Sequence, residues 1–222
     1  MKRIRIIGVL ILFSVFLTQG IRAQQDIEIS PMLGYTFRGD LKFVEGTMSV
    51  TDYFNIGANF SFPTSNYNSK FEITLSNSFT TASFDQSPDW EDLIIATDYK
   101  MMVTYFQLAW VFQGELNRDL NIFFGPNMGL VNYNITNSDV GNVPRFSIGA
   151  QTGVNYFFDR YLGFKFQALM ALPVFMGEGK HFRNIVEDTG VGVNDWVSVN
   201  ETTFPVNFVL SAGLIFKIRS RY

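Results

Sequence analysis

Residues 203–222 read TFPVNFVLSAGLIFKIRSRY. Phe204, Val206, Phe208, Leu210, Ala212, Leu214, Phe216 and Ile218 take every second place, opposite Asn207, Ser211, Gly213, Lys217 and Arg219. Successive side chains of an extended backbone point to opposite faces. The period of two therefore predicts one long strand with an apolar face and a small, polar face.

The same alternation recurs seven times upstream, over Asp26–Phe37, Met48–Phe62, Lys70–Phe84, Tyr99–Phe112, Leu120–Asn134, Arg145–Phe158 and Tyr161–Leu172. Eight strands with one apolar face close in two ways. A lipocalin-type soluble barrel turns that face inward; a membrane barrel turns it to lipid. Gly34, Gly57, Gly125, Gly129, Gly149, Gly153, Gly163 and Gly213 all fall on the polar face. A narrow eight-stranded interior needs small residues, so the polar face is read as the lumen and the Phe-rich face as the exterior. Each segment exceeds the roughly 9–11 residues that cross a bilayer at a tilt. Closure is required there, because an open edge in hydrocarbon leaves backbone groups unpaired. Pro31, Pro126 and Pro205 fall inside predicted strands and remove ladder donors; Gly125-Pro126 is read as a bulge.

The connections alternate in length. Pro63–Ser69, Gln113–Asp119 and Asp159–Arg160 are short, whereas Arg38–Gly46, Asp85–Asp98, Thr136–Pro144 and Val174–Glu201 are mostly longer. Short periplasmic turns and longer external loops are the pattern of outer-membrane barrels. Phe62, Phe71, Trp110, Phe112, Phe158, Tyr161 and Tyr222 gather at the predicted lower rim, and Phe37, Phe79, Tyr99 and Phe204 at the upper one, as two aromatic girdles.

Met1–Ala23 reads as a cleaved secretory signal: Lys2, Arg3 and Arg5 precede the apolar stretch Ile6–Leu17, with cleavage after Ala23. An uncleaved anchor is the other reading, but the apolar stretch is shorter than the ~20 residues a spanning helix needs. The domain expectation is thus a signal at 1–23 and one barrel domain at 24–222. Composition narrows the rest. The 222 residues carry a formal charge of −3, 17% charged and 16% aromatic residues, 24 Phe, one His and no Cys. Absence of cysteine excludes disulfides, thiolate zinc sites and cysteine nucleophiles. No basic patch points to nucleic acid, no Walker loop is present, and Gly177-Glu178-Gly179 lacks the rest of a dinucleotide fingerprint.

Taken together, the chain resembles the small eight-stranded outer-membrane β-barrel proteins of diderm bacteria, over its whole length after residue 23. In that group the last strand ends on an aromatic residue preceded by alternating apolar residues, which the barrel-assembly machinery reads. Leu214, Phe216, Ile218 and Tyr222 match it, with Tyr where Phe is commoner and Ser220 interrupting the series. Ser147–Leu172, opening with Gly149-x-x-x-Gly153-Val-x-Tyr-Phe-Phe158, looks like the penultimate hairpin of the group. The resemblance implies an all-β, eight-stranded antiparallel up-and-down transmembrane barrel in the outer membrane, among its lipid and lipopolysaccharide; activity varies widely on this fold.

Candidate functional residues are few. Glu28, Glu72, Lys165, Lys217 and Arg219 point into the predicted lumen near the periplasmic end, and closure brings Glu28 towards Lys217 or Arg219. They form a structural ion-pair cluster or, alternatively, a gated constriction. A barrel this narrow is normally filled by side chains, so no large pore is expected. The second external loop holds Asp85, Asp89, Glu91, Asp92 and Asp98 together with Trp90, Leu93, Ile94 and Ile95, read as a solvated acidic loop whose apolar residues cap the mouth. His181 in the fourth loop, with Ser198 nearby, is the sole hint of hydrolase or acyltransferase chemistry. The expected function is non-enzymatic, structural or surface-interacting, without cofactor or metal; a narrow channel or carrier, or a lipid-modifying enzyme, are the alternatives.

Overall fold

The computed structural model describes residues 26–43, 46–64, 66, 68–87, 98–135, 142–176, 180–183, 196–198 and 204–218. The strands are β1 (Ile27–Arg38), β2 (Leu41–Lys42), β3 (Gly46–Val50), β4 (Tyr53–Pro63), β5 (Ser69–Gln86), β6 (Asp98–Glu115), β7 (Leu120–Ile135), β8 (Asn142–Phe157), β9 (Leu162–Pro173), β10 (Lys180–Arg183), β11 (Trp196–Ser198) and β12 (Asn207–Ile218). Around the wall the order is β1, β4, β5, β6, β7, β8, β9, β12 and back to β1, all antiparallel. The seam runs from Ile27 opposite Ile218 to Arg38 opposite Asn207. The fold is therefore a closed eight-stranded up-and-down barrel with no free edge between its wall strands. Beyond the wall, β2 and β3 form a hairpin that continues along β5, and β10 pairs with β11.

One rim carries both terminal strand ends and the three tight turns; the opposite rim carries the long connections. At the terminal rim, the Asn117 side chain accepts from the Asp119 and Leu120 amides at 3.0 and 2.8 Å, and the Leu116 amide donates to the Leu120 carbonyl, which closes the β6–β7 turn. An Asx turn of this kind explains why Asn stands there.

The alternation is realised as predicted. Phe54, Phe79, Leu33, Phe124 and Phe166 are among the many large apolar side chains on the outer surface, with Phe54 at 78% exposure. The opposite set, Glu28, Ser30, Thr36, Asn59, Gln107, Asn127, Gln151 and Lys165 among them, is buried inside. A solvated exterior of this composition would be an aggregation surface; in hydrocarbon it is the favoured one. Of the lower girdle, Trp110, Phe112, Phe158 and Tyr161 lie exposed near the terminal rim, and Phe37, Phe79 and Phe204 lie exposed towards the other.

Three local expectations change. No bulge occurs at Gly125-Pro126. The β6–β7 register is the same before and after it (Ala109 opposite Asn127, Phe112 opposite Phe124), so the proline only interrupts the ladder. Pro31 does likewise on the β12 side. The bulge lies instead between β3 and β4: Val50 faces Ala82 and Ile56 faces Asn77, which inserts one extra residue and splits the expected second segment. Pro205 precedes β12 rather than sitting within it. Inside, Gly149 is packed so that a Cβ would collide with the Met170 carbonyl oxygen of the next strand, a close approach only glycine permits.

Candidate functional site

The lumen is built in two layers. The layer nearer the terminal rim is polar. Glu72 on β5 and Lys165 on β9, strands diametrically opposite in the wall, meet at 2.7 Å, each 1% exposed in its side chain. Both ends of this pair are saturated. Glu72 accepts from Ser61 (2.8 Å), Asn59 (3.2 Å) and Gln151 (2.7 Å), while Lys165 also donates to Asn59 Oδ1 (2.9 Å) and lies 4.6 Å from the Phe123 ring centre. Gln167 donates to Gln151, and Asn59 to Thr74, which ties β4, β5, β8 and β9 into one network. Such completeness is what keeps a buried ion pair from being a liability.

Closer to the rim, Glu28 pairs with Lys70 at 2.7 Å and with Lys217 at 3.8 Å. Lys217 also stands 3.5 Å from the Phe157 ring centre. Lys70, the second residue of β5, shares the inward face of Glu72, although the sequence reading did not include it in the lumen cluster. Glu28, Glu72, Lys165 and Lys217 thus meet in one half of the lumen; Arg219 lies outside the described residues. Beside this network a void of about 20 Å³, bordered by Asn55, Thr74, Tyr105 and Gln167, has room for roughly one water.

The layer nearer the loop rim is apolar. Met48, Val50, Phe84, Val103, Val131 and Phe175 belong to one buried cluster inside the barrel, together with Tyr53, Tyr105 and Tyr133. The Tyr53 and Tyr105 hydroxyls share a hydrogen bond at 2.9 Å. Arg38 enters from β1 and lies over the Tyr133 ring on β7, the strand opposite, with 4.3 Å to its centre. Its backbone amide is fixed by Asp52 at 3.1 Å, a residue of the bulge. The guanidinium nitrogens Nε, Nη1 and Nη2 are buried and have no hydrogen-bond partner. The ionisable groups around it are Tyr133, Tyr53 and Tyr105, and among the described residues no carboxylate pairs with it. Nearer the mouth, Arg145 stands over Phe175 at 5.1 Å. Sequence reading left Arg38 in a loop and assigned no face to this layer's tyrosines as a group. A charged residue one step past an alternating run was the available signal.

His181 belongs to β10, at the register shift between Lys180 (opposite Ser198) and Phe182 (opposite Val197). Its side chain, Tyr222, residues 1–25 and the loop residues Asp89, Trp90, Glu91, Asp92, Leu93, Ile94 and Ile95 lie outside the described residues. Among the described residues no group of acidic or histidine side chains is arranged to hold a metal. On the outer face, a groove of about 1050 Å³ runs between Leu33, Phe54, Ile122, Phe124, Phe166 and Leu210, at the level lipid would occupy.

No protein-family model and no curated protein matches the chain. Solved structures do. Neisserial surface protein A is 11% identical, with a TM-score of 0.55 over 86% of this chain and 97% of that one. The outer membrane protein OprG from Pseudomonas aeruginosa is 13% identical, with a TM-score of 0.53 over 87% of this chain and 96% of that one.

Proposed function

From a barrel fold shared with Neisserial surface protein A and OprG, we propose that this chain is an exported, integral outer-membrane protein with a non-enzymatic, structural or surface-interacting role. Residues 1–23 act as the cleaved signal, and Leu214, Phe216, Ile218 and Tyr222 are the strand read by the assembly machinery. In this reading the terminal rim faces the periplasm, the Phe-rich exterior meets lipid, and the long connections meet lipopolysaccharide and external partners. The observation that carries it is the Glu72–Lys165 pair, which crosses the full width of the lumen with every charge-bearing atom engaged. A barrel plugged in this way supports its wall; it does not conduct.

The experiment is single-channel recording in planar bilayers, on protein first shown to be folded by its heat-dependent electrophoretic mobility. The expected trace is flat for the wild type and opens only when Glu72 and Lys165 are both replaced by Ala. Steady conductance in the wild type, altered by Glu28→Ala, would replace this reading with the channel. Signal removal is checked by the mass of the mature protein, which begins at Gln24 if cleavage follows Ala23.

A further inference from the structure

We propose that Arg38 is the anchor of a ligand site in the loop-side layer of the lumen, and that its ligand is an amphiphilic monoanion: a carboxylate with an aliphatic body. The inference goes beyond the structural role proposed above and rests on different residues.

Three buried guanidinium nitrogens lack any acceptor. Arginine stays charged at any physiological pH and presents five donors in a rigid fork. A charge of this kind is costly in an apolar layer without a counter-charge, and among the described residues no carboxylate stands against the guanidinium. The contrast within the same barrel is direct. Lys165, buried along its whole side chain, has Glu72, Asn59 and an aromatic face. Among the described residues, the Arg38 guanidinium has the aromatic face of Tyr133 and no hydrogen-bond acceptor. The missing partner is an anion.

Its chemistry follows from the surroundings. One guanidinium neutralises one negative charge, so a dianion would be left half-compensated among apolar walls. The planar fork matches a carboxylate in a two-point contact, and the Tyr53–Tyr105 hydroxyl pair lies in the same cluster as a further donor source. In the same layer Leu41, Met48, Val50 and Phe84 pack together, with partly buried Phe43 against them. That wall suits a hydrocarbon body, and the unbranched, polarisable Met48 and Met101 are side chains that repack around one. Arg145, on the Phe175 ring, adds positive potential on the approach.

The test uses the full mature chain in zwitterionic micelles at pH 8, with octanoate as probe and octanol and inorganic phosphate as controls. Binding is followed by titration calorimetry and by the NMR signal of the Arg38 Nε–H. Octanoate is expected to bind saturably, one per chain, and to shift that signal. Binding of octanol is expected to be at least tenfold weaker, and phosphate is expected not to compete. Arg38→Met, which keeps an unbranched stem and removes the charge, is expected to lose at least tenfold in octanoate affinity while retaining heat-modifiable mobility. Should that variant misfold, the octanoate–octanol comparison on the wild type decides alone. Equal binding of octanoate and octanol, equal affinity in a folded Arg38→Met, competition by phosphate, or no saturable binding would each overturn the proposal.

Discussion

Two cations each reach across the same lumen to the wall opposite their own strand, and they are treated in opposite ways. Lys165 on β9 meets Glu72 on β5 within a network that satisfies both. Among the described residues, the Arg38 guanidinium on β1 meets the face of Tyr133 on β7 and no acceptor. Around the Glu72–Lys165 pair stand Asn59, Ser61, Gln151 and Gln167 beside the Phe123 ring, whereas Arg38 stands by a cluster of Val, Met, Phe and Tyr with Asn207 opposite it in register. A finished electrostatic network serves as a fixed filling. An unfinished one, among side chains that repack, is suited to a partner that comes and goes. A lumen need not be one environment; height along the axis separates two chemical surroundings within a single tube of side chains.

That contrast breaks most visibly at Glu72. Glu72→Gln strands Lys165 as a buried unpaired charge and is expected to cost about 3–5 kcal/mol in urea unfolding from micelles. Replacing both residues by apolar ones of similar volume is expected to recover most of the loss. If Glu72→Gln were as well tolerated as a surface change, the lower layer would not be the fixed element. Gly129 sits at the boundary, where a Cβ would meet the Phe106 carbonyl and Gln107. Gly129→Val is expected to destabilise by roughly 1–3 kcal/mol, read as a lower temperature for the mobility shift. At Arg38 the sign reverses. Without ligand, Arg38→Met removes an unpaired charge and is expected to raise stability by on the order of 1 kcal/mol in the same urea experiment. Loss of stability there would mean that a partner already pairs with the guanidinium. The smallest effect belongs to Lys217→Ala. Its side chain is 21% exposed and 3.8 Å from Glu28, so a change of about 0.5 kcal/mol is expected, diminishing as salt is raised.

The outward face was fully legible, because lipid imposes one rule on every second residue from Phe204 to Ile218 and on each earlier strand. Inward residues obey no such rule. Alternation says that Tyr105 and Gln107 share a side of β6, but not that one joins an apolar cluster while the other donates to Ser147 at 2.7 Å. That distinction depends on register between strands far apart in the chain. The Glu72–Lys165 contact joins residues 93 positions apart, and no local pattern reports it. Arg38 was missed for a related reason: it stands at a strand end, where the period has just stopped. Lys70, on the inward face of Glu72, was legible but left out of the cluster. The misplaced bulge teaches the same lesson. Glycine followed by proline is a sound local signal for one, yet the extra residue was accommodated at Thr51–Asn55, where the chain turns from β3 into β4 beside Arg38.

The wall strands differ in height. β5 and β6 have 18 residues each, whereas β1, β9 and β12 have 12. At the usual rise and tilt these lengths correspond to about 45 Å and about 30 Å along the axis. Among the described residues, one flank of the wall is therefore about half as tall again as the other, and Arg38 closes β1 on the shorter one.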